Sequence, residues 1–177
     1  MSMRPNKLWL IVFLTTWLAA SQSIYFMPYE QKDALKTLIN SINTATKSID
    51  VAIYSFTNRE IAKSLKNAAK KGVKIRIIYD YESNKDNTYS TIGYLSKYNH
   101  IQTCLLQGKK AKNRKYNGIM HQKLAIIDNH TIFVGSANWS KNAFENNYEL
   151  LVKSNDGAMI TKANSFFSKM FAQCQPY

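Results

Sequence analysis

Two spacings of apolar residues alternate along the chain from residue 30 onward. Over 30–46, Ala34, Leu35, Leu38, Ile39 and Ile42 return at helical spacing and predict a helix with one apolar face. The apolar run over 49–56 predicts a buried strand. Asn58 then stands where an N-cap belongs, Ile61, Ala62, Leu65 and Ala69 mark a second helical face, and Gly72 is its stop. A strand over 73–79, a helix over 88–98 and a strand over 101–106 repeat the unit. Strands over 120–127 and 131–135, joined by Asp128-Asn129-His130, predict a hairpin. A strand over 148–152 and a helix over 158–172, starting near Asn155 or Asp156, close the chain. Alternation followed by a hairpin predicts an α/β fold, a mixed sheet with helices on its faces.

The first residues follow another rule. Arg4 and Lys7 precede an apolar run over 8–20, and small residues follow at Ala19, Ala20, Ser21 and Ser23. That order is expected of an export signal, and the run is short against the ~20 residues of a membrane span. Residues 1–23 are therefore read as a signal peptide or N-terminal membrane anchor, and 24–177 as one domain that is periplasmic or faces outside the cytoplasm. The net charge is +13, and a chain this basic gathers on polyanions, either nucleic acid or an anionic surface. Much of that charge sits in a loop over 107–118, where Lys109, Lys110, Lys112, Arg114 and Lys115 lie between Gly108 and Gly118. Cys104 and Cys174, the two cysteines, are free to form one disulfide or to remain separate thiols in an oxidising compartment.

The chemistry concentrates in one stretch. His121 and Lys123 are two apart, so on a strand their side chains leave the same face, and Ser136 and Asn138 repeat that spacing on the returning strand. The hairpin brings an imidazole, an ammonium, a hydroxyl and a carboxamide to one sheet edge. A phosphate diester needs that inventory: a nucleophile for phosphorus, and a cation with neutral donors for its oxygens. The spacing His121-x-Lys123, four residues to Asp128, six to Gly135-Ser136, then Asn138 resembles the HxKx4Dx6GSxN signature of the phospholipase D superfamily at every specified position. Strand–helix order, short length and Glu149 resemble its small single-motif bacterial endonucleases, of the Nuc and NucT type. The resemblance covers residues 30–172. It implies an αβα sandwich, and His121 as a nucleophile that becomes a phosphohistidine. It further implies Lys123, Ser136 and Asn138 as holders of phosphate oxygens, Glu149 as the carboxylate orienting the imidazole, and Asp128 as a structural hydrogen-bonding residue.

In-line displacement also needs a proton donor opposite the nucleophile. His130 lies roughly 23 Å along extended chain from His121, and His100 has no motif around it. A second His121 from a two-fold-related chain supplies the donor, as the resemblance also implies, so a homodimer is expected. No metal or other cofactor is expected: the sequence has no cluster of acids suited to Mg²⁺ and no HExxH arrangement. The expected partner is DNA, single-stranded by preference, with RNA as a further substrate. The basic loop would neutralise its phosphates, and Trp139 is the stacking candidate among Tyr79, Tyr81, Tyr89, Tyr116 and Trp139, with Tyr79 expected in the core. The alternatives are a phospholipid hydrolase at the membrane surface and an exported DNA-binding or uptake protein. Loss of function in His121→Ala separates catalysis from binding.

Overall fold

The computed structural model describes residues 21–112 and 115–177. The predicted signal or anchor lies almost wholly outside them, as does Arg114. Within them, no helix is long and apolar enough to cross a membrane. The chain runs β1 (Gln22–Met27), α1 (Gln31–Asn43), β2 (Ser48–Ile53), α2 (Arg59–Lys70), β3 (Lys74–Asp80), α3 (Tyr81–Asn84) and α4 (Ile92–Leu95). It continues through β4 (Ile101–Leu106), β5 (Lys123–Ile127), β6 (Thr131–Gly135), α5 (Lys141–Glu145), β7 (Glu149–Ser154), α6 (Gly157–Phe171) and β8 (Gln175–Pro176).

The strands form one mixed sheet in the order β1-β7-β6-β5-β2-β3-β4-β8. β2, β3 and β4 are parallel, whereas β5, β6, β7 and β1 join by antiparallel pairing. One face carries α1 and α2 over a core that includes Leu38, Ile42, Leu65, Val51, Ile77 and Phe133. The other carries α6, whose Ile160 and Phe167 pack on Ala52, Ile78, Leu124 and Ile126. This is the αβα sandwich. The central strands read as continuous apolar runs because both of their faces are covered. Asp50 interrupts the run of β2, and Arg76 on the neighbouring strand holds it through two hydrogen bonds of 2.8 and 2.6 Å. The same guanidinium lies 5.0 and 5.1 Å from the ring centres of Phe167 and Phe171, which joins α6 to the sheet.

Local signals act where the residue pattern puts them. Asn58 caps α2 by accepting from the Glu60 and Ile61 amides, Asp156 caps α6 through Met159, and Gly72 ends α2 with φ +91°. Several elements differ from the pattern. In place of a helix over 88–98 there is the single turn α4, with another single turn, α3, ahead of it. The chain between them is held by side chains: Asn84 donates to the Tyr54 and Asp80 carbonyls and accepts from Ser90, while Thr91 donates to the Phe56 carbonyl. Side-chain bonds of this kind replace helical ones. The strand expected over 120–127 begins only at Lys123, because the Met120 amide is taken by Asp80 at 2.8 Å and not by a neighbouring strand. β1 and β8 carry too short or too polar a pattern to be read from sequence, and both are edge strands.

Cys104 and Cys174 are joined as a disulfide across 70 residues, tying the C-terminal tail to β4, with which β8 pairs. Closing a loop of that length stabilises the fold by about 4 kcal/mol through the unfolded chain.

Candidate active site

At one end of the sheet β1, β2, β3, β4 and β6 finish, and β5 and β7 begin. The functional side chains collect there because the antiparallel hairpin returns Ser136 and Asn138 to the level at which His121 and Lys123 set out. His121 stands just ahead of β5 and is exposed. Its ring meets the edge of Tyr54, with centres 4.5 Å apart. Tyr54 extends β2 past its last pair, and its amide donates to the Gln122 carbonyl at 3.0 Å. Lys123 opens β5 and is only 7% exposed. Its ammonium donates to the His121 carbonyl at 2.9 Å and lies 5.0 Å from the centre of the Tyr54 ring. Burial pulls its pKa below the ordinary lysine value, and the negative charges of Glu149 and Asp80 only partly offset that pull.

On the returning strand, the Ser136 hydroxyl donates to Glu149 and accepts from the Leu150 amide. Glu149 also accepts from the Asn147 carboxamide. Among the described residues no hydrogen bond joins Glu149 to His121. The carboxylate instead fixes Ser136, and the Tyr54 ring is what contacts the imidazole. Asn138 is half-buried, and its Oδ1 is buried without a hydrogen-bond partner. Fold-stabilising polar atoms are nearly always paired, so this amide is not fully used by the fold.

Asp128 sits at the opposite end, in the β5–β6 turn, with φ +53°. Its carboxylate accepts from the backbone amides of Thr46, Lys47 and Ser48 at 2.8, 2.8 and 2.9 Å, and from the Thr46 hydroxyl. Burial raises its pKa, but these donors outweigh burial and hold it below the ordinary carboxylate range. It fastens the hairpin to the start of β2 and touches no reacting group. His130 lies in the same turn, away from the site.

Trp139 requires a correction. It is 2% exposed, packs edge-on against Phe56 at 5.0 Å, and cannot present a stacking face to a base. The reason is topological. The segment after β6 bridges back to the segment after β2, with the Trp139 carbonyl accepting from Thr57 and Asn58 and its amide donating to Ser55. Tyr79 is buried, as expected, whereas Tyr89 and Tyr116 are 75% and 66% exposed. Lys109, Lys110, Lys112 and Lys115 are exposed, on a loop whose base is closed by Gly108 and Gly118 through backbone bonds of 2.9 and 2.8 Å. Asp80 and Tyr54 escaped the sequence reading. A lone acid ending a buried strand was the available signal for Asp80, and nothing marked Tyr54.

Residues 38–171 match the family described as cardiolipin synthase, PLD-like domain. The chain belongs to the phospholipase D-like family. The fold agrees with this membership: NucT from Helicobacter pylori superposes with a TM-score of 0.88 at 55% identity, over 90% of this chain and 100% of that one. A phospholipase D family member, Nuc from Salmonella typhimurium, superposes at 0.75 with 26% identity, over 90% and 99%. By sequence the chain is also similar to the human mitochondrial cardiolipin hydrolase, 26% identical over 145 residues. That alignment takes in 82% of this chain and 54% of the human protein, so the chain spans about half the length of such relatives. Among the described residues no group of three or more His, Cys, Asp or Glu side chains is placed to hold a metal ion.

Proposed function

We propose that this phospholipase D-like domain is an exported phosphodiesterase that hydrolyses DNA, single strands by preference and RNA as well, through a covalent phosphohistidine at His121 and without a metal. The observation that carries the reading is Lys123. Among the described residues this buried ammonium makes no ion pair, and a buried cation without a counter-ion is costly unless an anion arrives. A phosphate held there by Lys123, Ser136 and the Nδ2 amine of the Asn138 carboxamide lies beside the exposed imidazole. An imidazole nitrogen then attacks phosphorus, an N–P bond forms, and the P–O ester bond opposite it breaks. The departing oxygen needs a proton. Water later cleaves the N–P bond, and its own proton goes to the same donor.

That donor is His121 of a second copy in a homodimer. Support comes from an apolar strip that runs into the site. Ile24, Val152, Val134 and Leu124 stand in register across β1, β7, β6 and β5 on the α6 side of the sheet, with Phe26 and Leu150 in the next row. Helix α6 stops short of β1, leaving Ile24 and Phe26 about half exposed, at 48% and 50%. The bare strip continues into a groove of about 460 Å³ that includes His121, Lys123, Met159 and Phe166. Phospholipid hydrolysis is the second reading, in which that groove takes an acyl chain. The similarity to cardiolipin hydrolases favours it.

The deciding experiment is cleavage of single- and double-stranded DNA by the full chain in excess EDTA, beside His121→Ala and beside cardiolipin vesicles as substrate. Chelator-resistant cutting that falls at least about a thousandfold in the variant is expected. Release of the lipid head group with no DNA cleavage would overturn the nuclease reading in favour of the second.

A further inference from the structure

A second cavity, of about 510 Å³, opens at the same end of the sheet between the start of α2 and the α3–α4 segment. Arg59, Lys85 and Lys97 line it, against Asp86 as the single acid. Arg59 is the first residue of α2, where the positive end of the helix opposes a cation. Among the described residues neither Arg59 nor Lys97 makes an ion pair. Arg59 and Lys97 thus border the recess without an ion-pair partner, while Lys85 lies 5.0 Å from the centre of the Tyr81 ring with Asp86 and Glu82 nearby. The walls are rigid. Asn84 lines the recess, is 1% exposed, and is held by the Asp80 and Tyr54 carbonyls and the Ser90 hydroxyl. Tyr177 forms the opposite wall, its amide bonded to the Thr103 carbonyl at 3.1 Å and its tail tied by the Cys104–Cys174 disulfide.

Asn84 and Tyr54 connect the wall of the recess to the active site. Asn84 donates to the Tyr54 carbonyl at 2.7 Å, and the Tyr54 ring contacts both His121 and Lys123. We infer that this recess is a second anion subsite, which takes a backbone phosphate of a polynucleotide strand flanking the phosphate held at Lys123. The inference rests on the polynucleotide reading above and deepens it. A strand would then be gripped at two points on either side of Tyr54, and the grip would be electrostatic and independent of base sequence.

The test is binding, read by fluorescence anisotropy of a labelled oligothymidylate, with the full chain carrying His121→Ala so that the strand stays intact. Arg59→Ala with Lys97→Ala is compared with Lys47→Ala and Lys74→Ala, an equal loss of charge at the opposite end of the sheet. The recess pair should bind about tenfold more weakly at moderate salt. Its slope of log affinity against log salt should be shallower by about 0.7, as expected when one fewer phosphate of a single strand is neutralised, while the control pair changes little. Equal losses in the two pairs would overturn the subsite and leave the nuclease reading standing. No strand binding by the His121→Ala background would overturn both.

Discussion

Lys123 shows how one residue's environment sets opposite demands. In the proposed reaction its ammonium holds phosphate, yet burial favours the neutral amine and holds its pKa below 10.5, the ordinary lysine value. Cleavage should therefore fall as pH rises through that lowered pKa. Between it and 10.5 the unfolded chain binds more protons at this position than the folded one, so folding stability should rise with pH over the same window. Removing the charge should have the same signature. Lys123→Met is expected to abolish cleavage and raise the thermal midpoint by a few degrees, a gain of about 1 kcal/mol. A midpoint that fell, with activity retained, would place Lys123 in the fold and not in the site. The imidazole, ammonium, hydroxyl and carboxamide could be placed together from spacing because strand geometry repeats every two residues and the turn is short. The Tyr54 contact could not, since it crosses between strands far apart in sequence.

At the scale of elements, the site depends on how closely β6 approaches β7. A Cβ on Gly135 would lie 2.1 Å from the Leu150 carbonyl oxygen, which is backbone and cannot move aside. Gly135→Ala must therefore push β6 from β7, the two strands that bring Ser136 to Glu149. It should lower stability by about 3 kcal/mol in denaturant titration and reduce cleavage further than the unfolded fraction accounts for. Wild-type stability in that variant would refute the close approach. The elements read correctly from the pattern were those buried on a face of regular period, such as α1, α2 and α6. Those misread, the helix expected over 88–98 and the start of β5, lie beside Asp80 and Asn84. Their buried carboxylate and amide take backbone partners that a helix or strand would otherwise have used.

For the whole molecule, the apolar strip over β1 and β7 is the feature most in need of a partner. Contiguous exposed apolar surface marks an interface more often than chance. In the homodimer proposed above, Phe26→Glu should yield a monomer by light scattering and lose at least about a hundredfold in cleavage, while keeping its thermal midpoint within about 1 kcal/mol of stability. A wild type that is monomeric and fully active would remove both the dimer and the shared proton donor.

The sequence by itself determined the mixed α/β layering, the Asn58 cap and Gly72 stop of α2, and the spacing that gathers His121, Lys123, Ser136 and Asn138 at one end of the sheet. All of these depend on periodicities and spacings within one or two neighbouring elements. Only the tertiary structure decided the rest. The return of the chain after β6 to the end of β2 buried Trp139, and the edge pairing of β1 and β8 set the sheet's width. The Cys104–Cys174 bond placed Tyr177 at a cavity wall, and Tyr54 and Asn84 linked that cavity to the candidate active site. These depend on contacts between segments distant in the chain, where side-chain burial and backbone pairing are settled together and no local pattern records the partner.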